Sequence, residues 1–335
     1  MGIKRIDINN PEERKRLSGW LDNVRLANVY IKPEFQKAFL ETYRLRGHYL
    51  VCLKKGKLSA VASFYERRNL GGPKGLVSIP SGFWAKDSDA EEELINALRE
   101  IVLNQRLKGP YFRNLYNPLL SLRSQNMAYR AVRYLDGDEE ELLSSYSKNI
   151  RRDIRIAEKN GLIVKESNDV QTFYSIWAHN MRDLGTPPMP IRLFYHLKKY
   201  FNDKVKILSV FKNNKAIGGA FIIRNHEYAT DMCLSSLRPY FRYYPNTLLY
   251  HKMLTWASER GVKIFDLGRS QPGSGNEIFK LRFRAKLLPL YYYPYIRNSS
   301  IEKITKSIFI KIWKRFPVTL SNKVGPLLRM YIPFA

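Results

Sequence analysis

Two stretches of this 335-residue chain follow one order of elements, and that repetition constrains the fold more than any single motif. The first begins YLVCLKKGKLSAVASFYERR (residues 49–68), two alternating runs around a Lys-Lys-Gly turn, which predicts a β-hairpin. A glycine-rich turn and a strand over residues 75–81 follow. Next comes an acidic helix from about Asp87, with Leu94, Leu98, Ile101 and Gln105 on one face, and a strand over residues 110–116. The second stretch begins VKILSVFKNNKAIGGAFIIR (205–224), with an Asn-Asn turn, and continues after Asn225-His226 into a strand over 227–236. Its helix is predicted to run from an N-cap at Asn246 to Gly261 with Leu249, Met253 and Trp256 inward, before the strand KIFDLG. Lys54 maps onto Lys212 and Lys57 onto Lys215 with one offset of 158. The expected fold is α/β (α+β): two tandem domains of one type, each a mixed sheet flanked by helices. Their expected bounds are residues 1–140 and 141–298, with a separate tail at 299–335.

Between the repeats, SKNIRRDIRIAEKNG reads as a helix capped by Ser147 and stopped by Gly161, with Ile150, Ile154 and Ala157 as its apolar stripe. A second helix over 170–184 leads into LGTPPMP, a loop stiffened by its prolines. In the tail, Ile301, Ile304, Ile308 and Ile312 recur at helical spacing with Phe309 and Trp313, and Lys303, Lys306, Lys311, Lys314 and Arg315 fill the gaps. Such a segment suits an interfacial membrane anchor, and equally a terminal helix packed on the body.

The chain carries 57 Lys and Arg against 30 Asp and Glu, a formal charge of +27. An excess of that size points to a polyanionic partner, either nucleic acid or an anionic membrane surface. Cys52 and Cys233 stand apart in apolar runs, which fits a reducing compartment. No apolar core follows the N-terminus and no run is long enough to span a bilayer. A cytoplasmic protein is expected, its tail suited to the inner face of a membrane.

The five histidines form no ligand pair at metal-binding spacing, so no metal site is expected, and no cofactor either. There is no G-x-S-x-G elbow. The loop GRSQPGSG (268–275) lacks Walker A and dinucleotide spacing. It is also expected to pass into a strand, not into a helix whose N-terminus would take a phosphate. Arg269 and Ser270 follow directly on a strand end and are candidates for gripping a phosphate or carboxylate of a substrate. Asp231, in mid-strand, is a candidate for orienting or deprotonating an amine, and equally for a buried ion pair. Arg151, Arg152 and Arg155 are candidates for anion binding along a nucleic-acid backbone or pyrophosphate, or for a solvated basic face.

The order strand, hairpin strand, strand, helix, strand resembles the acyltransferase fold of the GNAT superfamily, twice over. Members that use acyl-CoA hold its pyrophosphate with an R/Q-x-x-G-x-G/A turn. The matching connections here, SSLRPYFRYYPN (235–246) and SGFWAKDSD (81–89), do not supply it. Tyr243, Tyr244 and Asn246 lie where that turn would be and are substrate-binding candidates, Asn246 being more simply a helix cap. A doubled GNAT fold without the turn resembles the Fem family of aminoacyl-tRNA-dependent transferases, which build peptidoglycan cross-bridges. SKNIRRDIRIAEKNG, MRDLGTPPMP, KAIGGAFII and YYPNTLLYHKMLTWASERGVKIFDLGRSQPGSGNEIFKLRF carry the likeness over most of residues 147–295. The loop G-R-S-x-P-G-[ST]-G followed by F-K is most like the Fem-like proteins of exopolysaccharide and exosortase (PEP-CTERM) gene clusters.

The resemblance implies attack by an acceptor amine on the ester that joins an amino acid to tRNA, with no covalent enzyme intermediate and no metal. It gives Lys280 the role of stabilising the oxyanion, and Phe279 that of shaping the pocket or stacking on a terminal base. Arg282, in a basic stretch with Arg284 and Lys286, joins the substrate-binding candidates. The implied partners are an aminoacyl-tRNA donor and a cell-envelope or lipid-linked glycan acceptor. Two other readings stay open. One is an N-acyltransferase that modifies an exopolysaccharide sugar from acyl-CoA or acyl carrier protein. The other is a non-catalytic RNA- or membrane-binding protein on the same scaffold.

Overall fold

The computed structural model describes residues 2–22, 28–69, 72–114, 125–293, 308–329 and 331. The chain divides into two compact units, one of Met1–Tyr129 with Leu288–Arg297 and Leu328–Ala335, the other of Arg130–Leu287 with Asn298–Leu327.

The first unit holds β1 (Gly2–Arg5), α1 (Pro11–Asp22), α2 (Pro33–Tyr43), β2 (Gly47–Lys54), β3 (Lys57–Asn69), β4 (Gly72–Ala85), α3 (Ser88–Asn104) and β5 (Lys108–Asn114). The second holds the latter half of β6 (Gln125–Tyr134), α4 (Glu139–Ser145), α5 (Lys148–Lys159), β7 (Ile163–Ser167), α6 (Val170–Leu184) and α7 (Ile191–Phe201). After these come β8 (Val205–Lys212), β9 (Lys215–Asn225), β10 (Tyr228–Ser236), α8 (Pro245–Ser258), β11 (Ile264–Ser270) and α9 (Gly275–Arg282). The chain then returns to the first unit in β12 (Lys286–Tyr293).

Strand order in the first sheet is β1-β2-β3-β4-β5-β12. All its neighbours run antiparallel except β4 and β5, which are parallel. The second sheet repeats the plan as β7-β8-β9-β10-β11-β6, with β10 and β11 as its parallel pair. The tandem mixed sheets therefore stand as expected. Lys55 and Gly56 in one hairpin turn and Asn213 and Asn214 in the other all have positive φ (48° to 73°), the left-handed turn whose twist matches paired strands.

Each sheet is covered on both faces. Along β2, Leu50 and Cys52 pack toward α3 with Phe64, Leu94 and Leu98, while Tyr49 and Val51 face α1 with Leu17 and Leu21. Along β9, Ala220 and Ile222 join Leu249 and Met253 of α8, and Phe221 meets Phe173 of α6 and Phe194 of α7.

Several sequence expectations need correction. The strand expected over 75–81 runs on to Ala85, so SGFWA is strand and no turn. Asp87 does cap α3 through Ala90 N–H. Asn246 is not the cap of α8: the helix starts at Pro245 on a left-handed Tyr244, and Asn246 Oδ1 instead accepts from Ser236 Oγ at 2.8 Å. The loop after Gly268 does enter a helix, α9, with Ser274 as N-cap accepting from Glu277 N–H. In the tail, Trp313 is buried between Phe309 and Phe316, so this part packs on the body, and Ile301, Ile304, Lys303 and Lys306 lie outside the described residues.

Buried polar groups join β6, β10 and β11. Asp266 of β11, 0% exposed, pairs with Arg130 of β6 and accepts from Tyr228 Oη (2.6 Å) and Gly268 N–H (2.8 Å). Truncating Arg130→Met leaves that carboxylate buried with less compensation, which costs about 3–5 kcal/mol. Urea unfolding monitored by circular dichroism checks this, and a loss within about 0.5 kcal/mol would place the pair among inconsequential surface bridges.

Candidate active site

The parallel ladder between β10 and β11 runs only from Tyr228↔Ile264 to Thr230↔Asp266, although both strands continue beyond it. At that point β10 shifts register against β9 between Asp231 and Cys233, a bulge at Met232 directly after Asp231. Beyond Asp266 the backbone of β11 bends through Gly268, at φ +78°. A Cβ there would lie 3.4 Å from Asp231 Oδ1 and 3.8 Å from Lys280 Nζ, so both charged groups crowd the same backbone position. The open end of the ladder is therefore lined by a carboxyl from one strand and an amine reaching over the other.

Lys280 comes from α9 and not from a strand. It is 2% exposed, and its Nζ donates to Gly268 O and Arg269 O, each at 3.1 Å. Two of its three N–H bonds are thus spent on β11, leaving one donor for a ligand. Burial pulls the Lys280 ammonium down to about 8, opposed by the Asp231 and Asp266 carboxylates. Burial pushes Asp231 up to about 7, with Lys280 opposing and Asp266 adding to the rise. Tyr250 of α8 hydrogen-bonds the Asp231 carboxyl, and burial holds the phenol well above its ordinary value.

Phe279, beside the lysine, meets Tyr250 edge-on at 5.1 Å and Phe283 at 5.3 Å. Phe283 also meets Tyr250 (5.4 Å) and Tyr146 (5.0 Å), so an aromatic wall fixes α9 against α8 and orients the Tyr250 hydroxyl. Phe279 is half-buried.

Of the residues singled out in sequence, the fold brings Asp231, Lys280 and Phe279 together, with Arg269 contributing its carbonyl. Ser270, expected to face a substrate, is buried within reach of Asn276 Nδ2 at 3.5 Å. Arg151 Nη1 donates to Ser144 O and Tyr146 O at the end of α4, which braces that corner. Arg152 is engaged with Asp153 and Tyr244, and Arg155 is exposed. Tyr243 lies under Lys212 Nζ (4.3 Å) and Arg242 (4.8 Å). Arg282 is exposed, and its carbonyl accepts Ser147 N–H. Sequence reading missed Tyr250, Asp266, Arg130 and Tyr228. An aspartate inside the apolar run KIFDLG was the one available signal.

Residues 144–281, which include Asp231, Tyr250, Asp266, Phe279 and Lys280, match the family model of the acetyltransferase (GNAT) domain. The fold is two tandem GNAT-like domains, and the matched segment lies within the second. Among solved structures, FemX covers 91% of this chain and all of its own, at 13% identity and a TM-score of 0.68. A C-terminal domain assigned to a lysylphosphatidylglycerol synthetase from Agrobacterium fabrum covers 89% of this chain and 97% of its own, at 13% identity and TM-score 0.52. A tandem GNAT protein of the clavulanic acid pathway covers 89% and 99%, at 10% identity and TM-score 0.52. Among curated proteins, no sequence matches this chain.

Removing the ammonium of Lys280 takes a cation from beside Asp231, so Lys280→Met raises the Asp231 pKa above about 7. Carboxyl-carbon NMR titration of both forms reads the change, and an unmoved Asp231 would show that the two groups do not sense each other.

Proposed function

We propose that the chain is a Fem-like aminoacyltransferase, joining an aminoacyl group carried as an ester on tRNA to an amine of a cell-envelope precursor. The observation that carries the reading is the buried Asp231–Lys280 pair at the open end of the β10–β11 ladder. An amine nitrogen attacks the ester carbonyl carbon and forms the new C–N bond, while the Asp231 carboxylate takes its proton. The remaining N–H of Lys280 meets the negative oxygen that develops. Breakage of the C–O bond frees the ribose hydroxyl, which receives the proton held by Asp231. Phe279 forms the pocket wall beside the reacting carbonyl.

The connection from β10 to α8 supports an ester donor over a thioester. It is a short 3-10 turn (Arg238–Tyr243), then left-handed Tyr244 and Pro245, with no glycine to bring backbone amides against a pyrophosphate. Similarity to FemX and to the lysylphosphatidylglycerol-synthetase domain is in keeping with aminoacyl transfer. A second reading is N-acylation of an exopolysaccharide sugar from acyl-CoA or a carrier protein, and the description of the matching family as an acetyltransferase favours it.

Incubation with charged tRNA, and separately with acyl-CoA, together with amine acceptors decides between the donors. Loss of the ester bond with amide formation is expected, and consumption of the thioester alone would overturn the reading. Lys280→Ala lowers turnover by roughly 10²–10³-fold with the melting curve retained, whereas a purely binding role leaves function in cells unchanged.

The rate needs Asp231 ionised and Lys280 protonated. It therefore rises as pH passes about 7 and falls as pH passes about 8, giving a narrow bell. Lys280→Arg, which stays charged, removes the alkaline limb. A limb that persists in that variant assigns it to another group.

A further inference from the structure

The tail has a feature that the transfer chemistry does not use. From Lys303 to Ala335 the sequence contains seven basic residues and no acidic one. Its helical turn over 308–313 is fixed to the second unit by one face. Trp313 is buried, with Phe309 and Phe316 stacked on it at 5.6 and 5.1 Å, and a Cβ on Gly185 would fall 2.6 Å from Ile310 Cγ2. Arg182 Nη1 also donates to Lys314 O at 3.4 Å. With that face occupied, the opposite one is Ile308, Lys311, Ile312 and Arg315, all exposed, the two isoleucines at 53% and 55%.

The helix that follows (Val318–Arg329) repeats the pattern. It is seated where Gly325 meets the Pro188 ring, and it exposes Leu320, Lys323 and Leu327. Two successive helical segments thus each hold aliphatic side chains out in water with a cation between them. Leu184, next to the Gly185 contact, is exposed as well. Aliphatics that the body leaves uncovered, interleaved with cations and no carboxylate, are complementary to a surface that is apolar below and negative above. A nucleic-acid backbone would use the cations and leave the aliphatics in water.

We propose that the outward face of residues 308–327 docks the protein on an anionic phospholipid surface, with Ile308, Ile312, Leu320 and Leu327 entering the headgroup region and Lys311, Arg315 and Lys323 meeting lipid phosphates. The docking is independent of the donor assigned above. It stands or falls without reference to transfer activity.

Sedimentation of the full chain with phosphatidylcholine vesicles, with and without phosphatidylglycerol, tests it. Binding is expected only with the anionic lipid, and it weakens as salt rises. The exposed double substitution Ile308→Ser with Ile312→Ser weakens partitioning by about tenfold or more, while the charge is unchanged and the melting temperature is retained. Lys311→Gln with Lys323→Gln weakens it and flattens the salt dependence. Wild-type protein that stays in the supernatant with both vesicle types overturns the proposal. So does equal binding by the isoleucine variant, which would leave only the general +27 charge at work. Loss of RNA binding in the lysine variant with no change in vesicle binding assigns the face to nucleic acid and overturns it likewise.

Discussion

The buried carboxylate of Asp266 is the interaction on which the second unit's working end depends. Arg130, the Tyr228 hydroxyl and the Gly268 amide all converge on it, so β6, β10 and β11 are tied at one level of the sheet. A charge at that depth is tolerable only when its lone pairs are met, and three partners meet them. Thr230 Oγ1 adds a bond to the Asp266 carbonyl at 3.1 Å. Below this level the parallel ladder holds, and above it the strands are free to part. The place where they part is where Asp231 and Lys280 stand.

Asp266 also sets the chemistry of its neighbours. Its negative charge discourages ionisation of Asp231 and favours the ammonium of Lys280, while burial works against both charges. The result is an acid and a base whose affinities for protons lie close together. Such a pair suits a reaction that must take a proton from an amine and steady a negative oxygen without leaving neutral pH. Lys280 is also a tie between α9 and β11 through Gly268 O and Arg269 O, so the proposed oxyanion donor is held by the strand it reaches across.

Much of the fold was legible in the chain because its signals are local. Turn residues at Lys55-Gly56 and Asn213-Asn214, alternation along β2 and β9, and the caps Asp87 and Ser147 all act within a few residues of themselves. The identity of Lys280 and Phe279 came through the family resemblance, but their placement on a strand did not hold. Eight residues of helix capped by Ser274 offer too few turns for periodicity to separate the two. Asn246 looked like a cap because of its residue type, and its position after Pro245 made it a partner of Ser236 instead. Arg130 and Asp266 lie 136 residues apart and meet only through strand order, which no window of sequence contains. Arg151 read as a surface cation because nothing local shows that two carbonyls at the end of α4 will claim it.

The sixth strand of the first sheet is supplied from beyond the second repeat. β12, after the second repeat, closes the first sheet against β5 through Tyr291↔Asn114, and part of β6, before the second repeat, belongs to the other unit. No single cut in the polypeptide therefore separates the two units, and a fragment ending at any one point between the repeats lacks a strand it needs. During synthesis the first sheet must wait, its β5 flank unpaired, until the whole of the second repeat has been made. A circular permutant that starts near β12 would release the first unit from that wait.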